Sequence, residues 1–121
     1  MTAKELGSQP RPGPPATCPD FHAAIELIGR RWNGVILQQL LAGPLRFGEL
    51  RELIPGITDA MLSQRLRELE AAALVGRTVT LGRPVEIRYL LTDIASRLAP
   101  VLDAVAAWSA EWAAETSGPR D

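Results

Sequence analysis

The sequence comprises 121 residues with a formal net charge of -1, and 46% of its residues are hydrophobic and 22% charged. This length suits one domain with its own core and excludes most multi-domain enzymes and large barrels. A single cysteine, Cys18, and a single histidine, His22, exclude an internal disulfide and a histidine-based metal site. The sequence also lacks a phosphate loop and a nucleophile-base set, so we expect no enzyme, no catalytic residue, no metal and no cofactor.

The hydropathy pattern gives no indication of a membrane or secreted protein. No apolar run reaches the ~20 residues that a membrane span needs, and the sequence does not open with a basic, apolar leader. We therefore expect a cytoplasmic protein with no membrane partner.

Both ends of the sequence have the composition of flexible segments. Residues 1–17 are rich in Pro, Gly and Ser, and four prolines fall between Pro10 and Pro15. Proline removes a backbone donor that helices and central strands need. We predict a disordered arm over residues 1–17, one domain over 18–115 and a flexible tail over 116–121.

The helical spacing of apolar residues predicts four helices in the first part of the domain. They cover residues 20–29, 31–42, 46–54 and roughly 59–73. Asp20 is a candidate N-cap for the first helix and Thr58 for the fourth, whereas Gly43-Pro44 and Pro55-Gly56 are turns. A short helix, a tight turn and a second helix with one exposed polar face form a helix-turn-helix pattern.

After the fourth helix the periodicity changes from that of a helix to that of a strand. Val75 and residues 78–81 are strand formers, residues 82–84 form a turn, and residues 85–91 alternate in polarity. A β-hairpin that directly follows a helix-turn-helix is the order of a winged helix. We therefore predict a mainly α fold of the α+β class, a winged helix-turn-helix with extra helices at both ends.

The last helix carries an apolar seam with coiled-coil spacing over about three heptads. Thr92 is its candidate cap, and Pro100 either kinks the helix or begins a longer helix after a short one. The seam comprises Ile94, Leu98, Val101, Val105, Trp108 and Trp112. Because a domain of this size cannot easily cover two tryptophans near its end, we expect a homodimer rather than packing within one domain.

Short motifs follow one another in a fixed order over nearly all of residues 18–112. They are Cys18-Pro19, Gly29 to Trp32, Arg46 to Leu50, Pro55 to Ile57, Met61 to Leu69, Tyr89 to Thr92, Pro100 to Leu102, and Trp108. Each motif alone is weakly specific, but the ordered set resembles the HxlR family of bacterial winged helix-turn-helix transcription regulators. The resemblance implies a homodimer that binds an operator near a promoter. It also implies that the first and last helices are dimerisation helices, which adds Phe21 and Ile25 to the interface.

The helix over 59–73 is the predicted recognition helix, because the major groove of DNA admits an α-helix whose first turns face the bases. Gln64 suits adenine, whereas Asp59 either accepts from cytosine or only favours the helix N-terminus. Arg65 lies near the apolar edge, where it can snorkel, and Arg83 at the hairpin tip would reach a phosphate or the minor groove. The predicted DNA-binding residues are Arg46, Thr58, Asp59, Ser63, Gln64, Arg65, Arg67, Arg83 and Arg88.

Two features are candidates for sensing an oxidant or a small-molecule effector. Cys18 lies just before the first helix, whose N-terminus favours the reactive thiolate, and some HxlR-type regulators are similar sensors of oxidants or electrophiles. The alternative for Cys18 is an inert, buried thiol. Trp32, Trp108 and Trp112 either line an aromatic effector pocket or only pack on apolar stripes.

We interpret the chain as a sequence-specific DNA-binding transcriptional regulator, with repression as the expected mode, acting as a homodimer on an inverted repeat in double-stranded DNA. Residues 43–92 carry seven arginines against six acidic residues, which permits an electrostatic footprint without demanding one. The near-neutral charge and the Asp59-Ala60 opening of the recognition helix favour an alternative, a winged-helix protein-interaction module without DNA binding. Salt-sensitive DNA binding separates the two.

Overall fold

Six helices and three strands follow one another in a computed structural model that describes residues 18–117. They are α1 Pro19–Gly29, α2 Asn33–Leu40, β1 Leu45–Arg46, α3 Phe47–Leu53, α4 Asp59–Ala71, β2 Val75–Thr80, β3 Glu86–Leu91, α5 Asp93–Ser96 and α6 Ala99–Ser117. This order confirms the predicted winged helix-turn-helix of the α+β class. The arm predicted over 1–17 lies outside the described residues, and α6 continues two residues into the segment predicted as a tail.

The strands form one antiparallel sheet in the order β1-β3-β2. β2 and β3 pair along their whole length, from Val75 opposite Leu91 to Thr80 opposite Glu86, which confirms the predicted hairpin. β1 was missed, because a two-residue strand is too short to show a periodicity. Its Arg46, predicted to begin the third helix, pairs instead with Arg88 and directly precedes α3.

The apolar core lies between α2, α3, α4 and the sheet. Its buried members are Ile36, Leu37, Leu40, Leu50, Ile54, Ile57, Leu62, Leu66, Leu69, Val75 and Leu102. Three of them, at spacings of four and three along α4, form the stripe that the sequence predicts on the recognition helix. Leu102 brings α6 into this core, whereas no residue within Pro19–Gly29 is buried. The two end helices therefore keep most of their apolar surface outside the core.

Side-chain caps fix the beginnings of two helices. The Thr58 hydroxyl accepts a hydrogen bond from the backbone N–H of Met61 at 3.1 Å, and the Thr92 hydroxyl accepts one from Ala95 at 3.3 Å. Both caps satisfy an N–H group that has no partner inside the helix, as predicted. The start of α4, the predicted recognition helix, is thus set by its own sequence.

Other helix ends differ from the predictions for local reasons. α1 begins at Pro19, where a missing N–H is harmless, so Asp20 lies in the first turn and is not the cap. α4 ends at Ala71 because Ala73 takes a left-handed conformation with φ of +64°. Pro100 lies in the first turn of α6 after the short α5, which confirms a short helix followed by a longer one.

Among the described residues, no helix is both long and apolar enough to cross a bilayer.

Candidate nucleic-acid interface

The outward face of α4 carries the polar side chains predicted to meet DNA. Gln64 and Arg67 are exposed, and Ser63 is half-buried beside them. The Arg67 Nη1 donates to the Ser63 hydroxyl at 3.2 Å. The side chain of Gln64 makes no hydrogen bond within residues 18–117. Its amide therefore has both a donor and an acceptor available for a base edge.

Asp59, in the first turn of α4, has a role that the sequence analysis did not consider. Its Oδ1 lies 3.0 Å from the Arg51 Nε, so the pair joins α3 to α4 across the turn of the helix-turn-helix. Both side chains are at least half exposed, and such pairs contribute little to stability because water and salt screen them. The Asp59 carboxylate therefore places a negative charge, already paired with Arg51, at the start of the predicted recognition helix.

An ion-pair cluster ties the N-terminus of α3 to the wing. The Arg46 guanidinium lies 3.2 Å from Glu49 and 3.3 Å from Glu86, and Glu86 also lies 3.3 Å from Arg88. The backbone N–H of Arg46 donates to the Glu49 carboxylate at 2.7 Å. This hydrogen bond, with the neighbouring guanidinium, lowers the pKa of Glu49 below its ordinary value, and the same pairing raises the pKa of Arg46. The charges of Arg46 and Arg88 are therefore both paired with carboxylates inside the chain.

The tip of the wing presents a different kind of arginine. Residues 81–85 connect β2 to β3 and are all exposed. Arg83, in the middle of this connection, forms no ion pair within the described part of the chain. Its guanidinium is thus available to an external anion.

Arg65 lies about 100° around α4 from Gln64 and is buried, which corrects its assignment to the DNA contacts. It is 7% exposed, and its Nε donates to the backbone carbonyl of Arg31 at 3.0 Å. Its position three residues after Leu62 and four before Leu69 turns it toward the core. The sequence places Arg65 at the apolar edge of α4, but its carbonyl partner lies 34 residues earlier, so no local signal indicates that the guanidinium is buried.

The apolar residues predicted at a dimer interface lie uncovered in the single chain. Seven are about half exposed: Phe21, Ile25, Ile94, Val101, Val105, Trp108 and Trp112. Leu98 differs, because it is half-buried and packs against the core. The rings of Trp108 and Trp112 stack with centroids 5.5 Å apart. Exposed apolar side chains in this number on α1, α5 and α6 are typical of an interaction site.

The remaining candidates for an effector site do not come together. Trp32 is half-buried beneath the Arg31 guanidinium, 4.9 Å from its ring centroid. No ring contact joins it to Trp108 or Trp112 within residues 18–117. Cys18 is a half-buried free thiol, and its carbonyl accepts the His22 backbone N–H at 3.2 Å.

The known proteins to which this chain is similar include helix-turn-helix transcriptional regulators. The family described as HxlR-like helix-turn-helix matches residues 27–117. The uncharacterised HTH-type transcriptional regulator YvaP of Bacillus subtilis (strain 168) is 41% identical over 95 residues, which cover 78% of this chain and 88% of YvaP. The HTH-type transcriptional regulator YodB of the same organism is 42% identical over 92 residues, covering 76% of this chain and 82% of YodB.

Solved structures agree with the sequence comparison. The reduced form of YodB from B. subtilis has a TM-score of 0.71 at 40% identity, covering 87% of this chain and 99% of that structure. A quinone-bound form of YodB has a TM-score of 0.68 at 39% identity, covering 78% and 99%. The redox regulator HypR in its reduced form has a TM-score of 0.72 at 33% identity, covering 76% and 91%. The relatives are named as regulators and not as enzymes, in agreement with the expectation from the sequence.

Proposed function

Because this chain belongs to the HxlR family of helix-turn-helix transcriptional regulators, we propose that it represses transcription by binding an inverted-repeat operator as a homodimer. The observation that carries this proposal is the outward face of α4. A recognition helix must present free polar groups on one side and be anchored by apolar groups on the other. Gln64 and Arg67 occupy the first side, and Leu62, Leu66 and Leu69 the second.

The two-fold symmetry of a dimer dictates the form of the operator. Two copies of α4 would enter successive major grooves on one side of the duplex, about 34–36 Å apart. The half-sites would then be inverted copies of each other. α1, α5 and α6 supply the apolar surface that such a dimer would bury, since together they carry the half-exposed residues described above.

Selection of DNA by the purified protein tests the proposal. A pool of genomic fragments is enriched over several rounds, and the best fragment is titrated at two salt concentrations. We expect a nanomolar complex on an inverted repeat whose affinity falls as salt rises. Absence of enrichment over non-specific binding would instead support the protein-interaction module, which the paired state of Arg46 and Arg88 favours.

Gln64→Ala is expected to weaken binding to the selected operator about 10-fold, because a side chain that reads a base edge is worth ~1–3 kcal/mol. Binding to unrelated DNA should be unchanged. Competition titrations with the operator and with a scrambled duplex measure both affinities. Equal losses on the two duplexes would show that Gln64 does not read bases.

Arg83→Ala is expected to weaken binding to both duplexes alike and to lower the slope of log K against log salt by about one, since one phosphate contact is lost. Affinities at four salt concentrations give the slope. The matched control is Arg97→Ala, which removes an arginine from the segment between α5 and α6, away from the wing. An unchanged slope for Arg83→Ala would remove this residue from the phosphate contacts.

We also propose that Cys18 senses electrophiles, on the basis of its place at the start of α1 and of the quinone-bound structure of YodB. Cys18→Ser is expected to abolish quinone-triggered release of DNA, because the sequence has no other thiol. Fluorescence polarisation of a labelled operator follows the release. If release persists in Cys18→Ser, the thiol is inert and the sensor lies elsewhere.

A further inference from the structure

Arg65 is a buried cation on the inner side of the recognition helix, and the proposed DNA contacts do not use it. Its Nε donates to the Arg31 carbonyl at 3.0 Å, and its Nη1 lies 3.2 Å from both carboxylate oxygens of Glu68. A buried charge is tolerated only when it is paired and hydrogen-bonded. The Arg65 guanidinium therefore needs these contacts to remain buried. The hydrogen bond from Arg65 therefore holds the Arg31 carbonyl against α4.

The residues that α4 holds in this way form the turn between α1 and α2. The Arg30 Nε lies 3.1 Å from Glu68, beside the Arg65 contact. Trp32 adopts a left-handed conformation with φ of +79°, and its Cη2 atom lies 3.6 Å from where a Cβ on Gly56 would be. Arg30 and Arg31 thus contact α4, and the Trp32 ring lies beside the Pro55-Gly56 turn that precedes it.

The direction of α1 depends on this turn, because α1 has few contacts of its own with the core. No residue within Pro19–Gly29 is buried, and only Leu27 and Ile28 near its end pack against the core. Asn33 is fully buried and its Nδ2 donates to the Leu27 carbonyl at 2.8 Å, so the end of α1 is fastened to the start of α2. A change in the turn would therefore tilt the whole of α1.

From these contacts we infer that Arg65 is a positioning residue that sets the angle between α1 and α4, and thereby the spacing of the half-sites that the dimer accepts. The inference rests on the proposed function, in which α1 meets the partner protomer and α4 meets DNA. Each base pair adds ~3.4 Å between half-sites and turns one half-site by about a tenth of a turn relative to the other, since ten base pairs span one turn of ~34 Å. In the proposed dimer, a change in the angle between α1 and α4 would change the distance and the relative orientation of the two copies of α4.

Selection from a random duplex library tests this inference with the wild type, Arg65→Met and a matched control, Arg67→Met. Methionine keeps an unbranched apolar stem in each variant and removes one positive charge from the same helix. We expect the wild type to enrich one half-site spacing. Arg65→Met should enrich the same half-site at several spacings, whereas Arg67→Met should lose affinity but keep the wild-type spacing.

Titration of three synthetic operators, with the selected spacing and with one base pair fewer or more, gives the magnitude. We expect the wild type to bind the altered spacings about 10-fold or more weakly, a loss similar to that caused by one mismatched base pair. Arg65→Met should lose most of this discrimination between spacings. An unchanged discrimination in Arg65→Met would overturn the inference. If Arg65→Met does not fold, as a circular-dichroism melt would show, Glu68→Ala removes the carboxylate that contacts both Arg65 and Arg30 at a less buried residue, and it is expected to behave alike.

A measurement without DNA separates failure of this inference from failure of the proposed function. A spin label on Ala71→Cys in a Cys18→Ser background reports the distance between the two copies of α4 in the dimer. We expect a narrow distribution of label-to-label distances in the protein that keeps Arg65, and a broad or displaced distribution when Arg65→Met is added. Identical distance distributions in the two proteins would overturn the inference even if no operator were enriched. If the distributions differ but no operator is enriched, only the DNA-binding proposal is overturned.

Discussion

Replacing Trp108 with aspartate is expected to convert the dimer into monomers and to abolish operator binding. Trp108 is 56% exposed in the single chain, stacks on Trp112 and lies at the centre of the apolar face of α6. Truncation of such a central aromatic residue costs about 2 kcal/mol or more at typical interfaces, so we expect the dimer Kd to rise at least about 30-fold. A buried carboxylate without a partner adds to this loss.

The matched control for this variant is Ala114→Asp. Ala114 is exposed and lies three turns from Asp103 on the same face of α6, away from the seam, so we expect the dimer to persist. Analytical ultracentrifugation measures the dimer Kd, and fluorescence polarisation measures operator binding. A Trp108→Asp protein that remains dimeric at the wild-type Kd would show that α6 does not form the interface.

Leu66→Ala is expected to destabilise the domain by about 2–5 kcal/mol, because it removes a core side chain and leaves a cavity. Leu66 is 1% exposed and anchors the middle of α4. For a domain of this size the melting temperature should fall by about 4–8 °C for each kcal/mol. Operator binding should weaken in parallel as temperature rises, since the recognition helix loses its anchor.

Leu53→Ala is the matched control, because the same substitution is made at a leucine of α3 that is 49% exposed. We expect a loss below about 1 kcal/mol there. Urea denaturation followed by circular dichroism gives the free energy of unfolding of both variants. Equal losses at the two positions would contradict the described packing of α4.

The elements of this fold were predictable where one local pattern decided them. The apolar stripe of α4 and the Thr58 cap depend on residues within one or two helical turns, so the sequence alone shows both. The alternation over residues 85–91 likewise indicates a strand without knowledge of its partner. The two-residue β1 escaped because its pairing with Tyr89 and Arg88 involves residues more than 40 positions away.

The candidate site was predictable in kind but not in its electrostatics. Exposure of Gln64 follows from its place opposite the apolar stripe. The partner of Arg65, however, is a carbonyl 34 residues earlier, and the partner of Arg46 in the wing is Glu86, 40 residues later. Such pairs exist only once the tertiary fold brings distant segments together, so no sequence pattern separates a free arginine from a paired one.

The carboxylates beside Arg46, Arg51 and Arg88 bear on how such a protein would travel along a chromosome. In the proposed complex each of these arginines would meet DNA with a carboxylate already paired to it, so a phosphate would have to displace Glu49, Glu86 or Asp59 to be bound. The exposed pairs are weak enough to yield in a closely fitted complex, yet they reduce the attraction of random duplex. A protein built in this way would dwell only briefly on unrelated sequence, and its residence on a target would be governed by contacts to the bases.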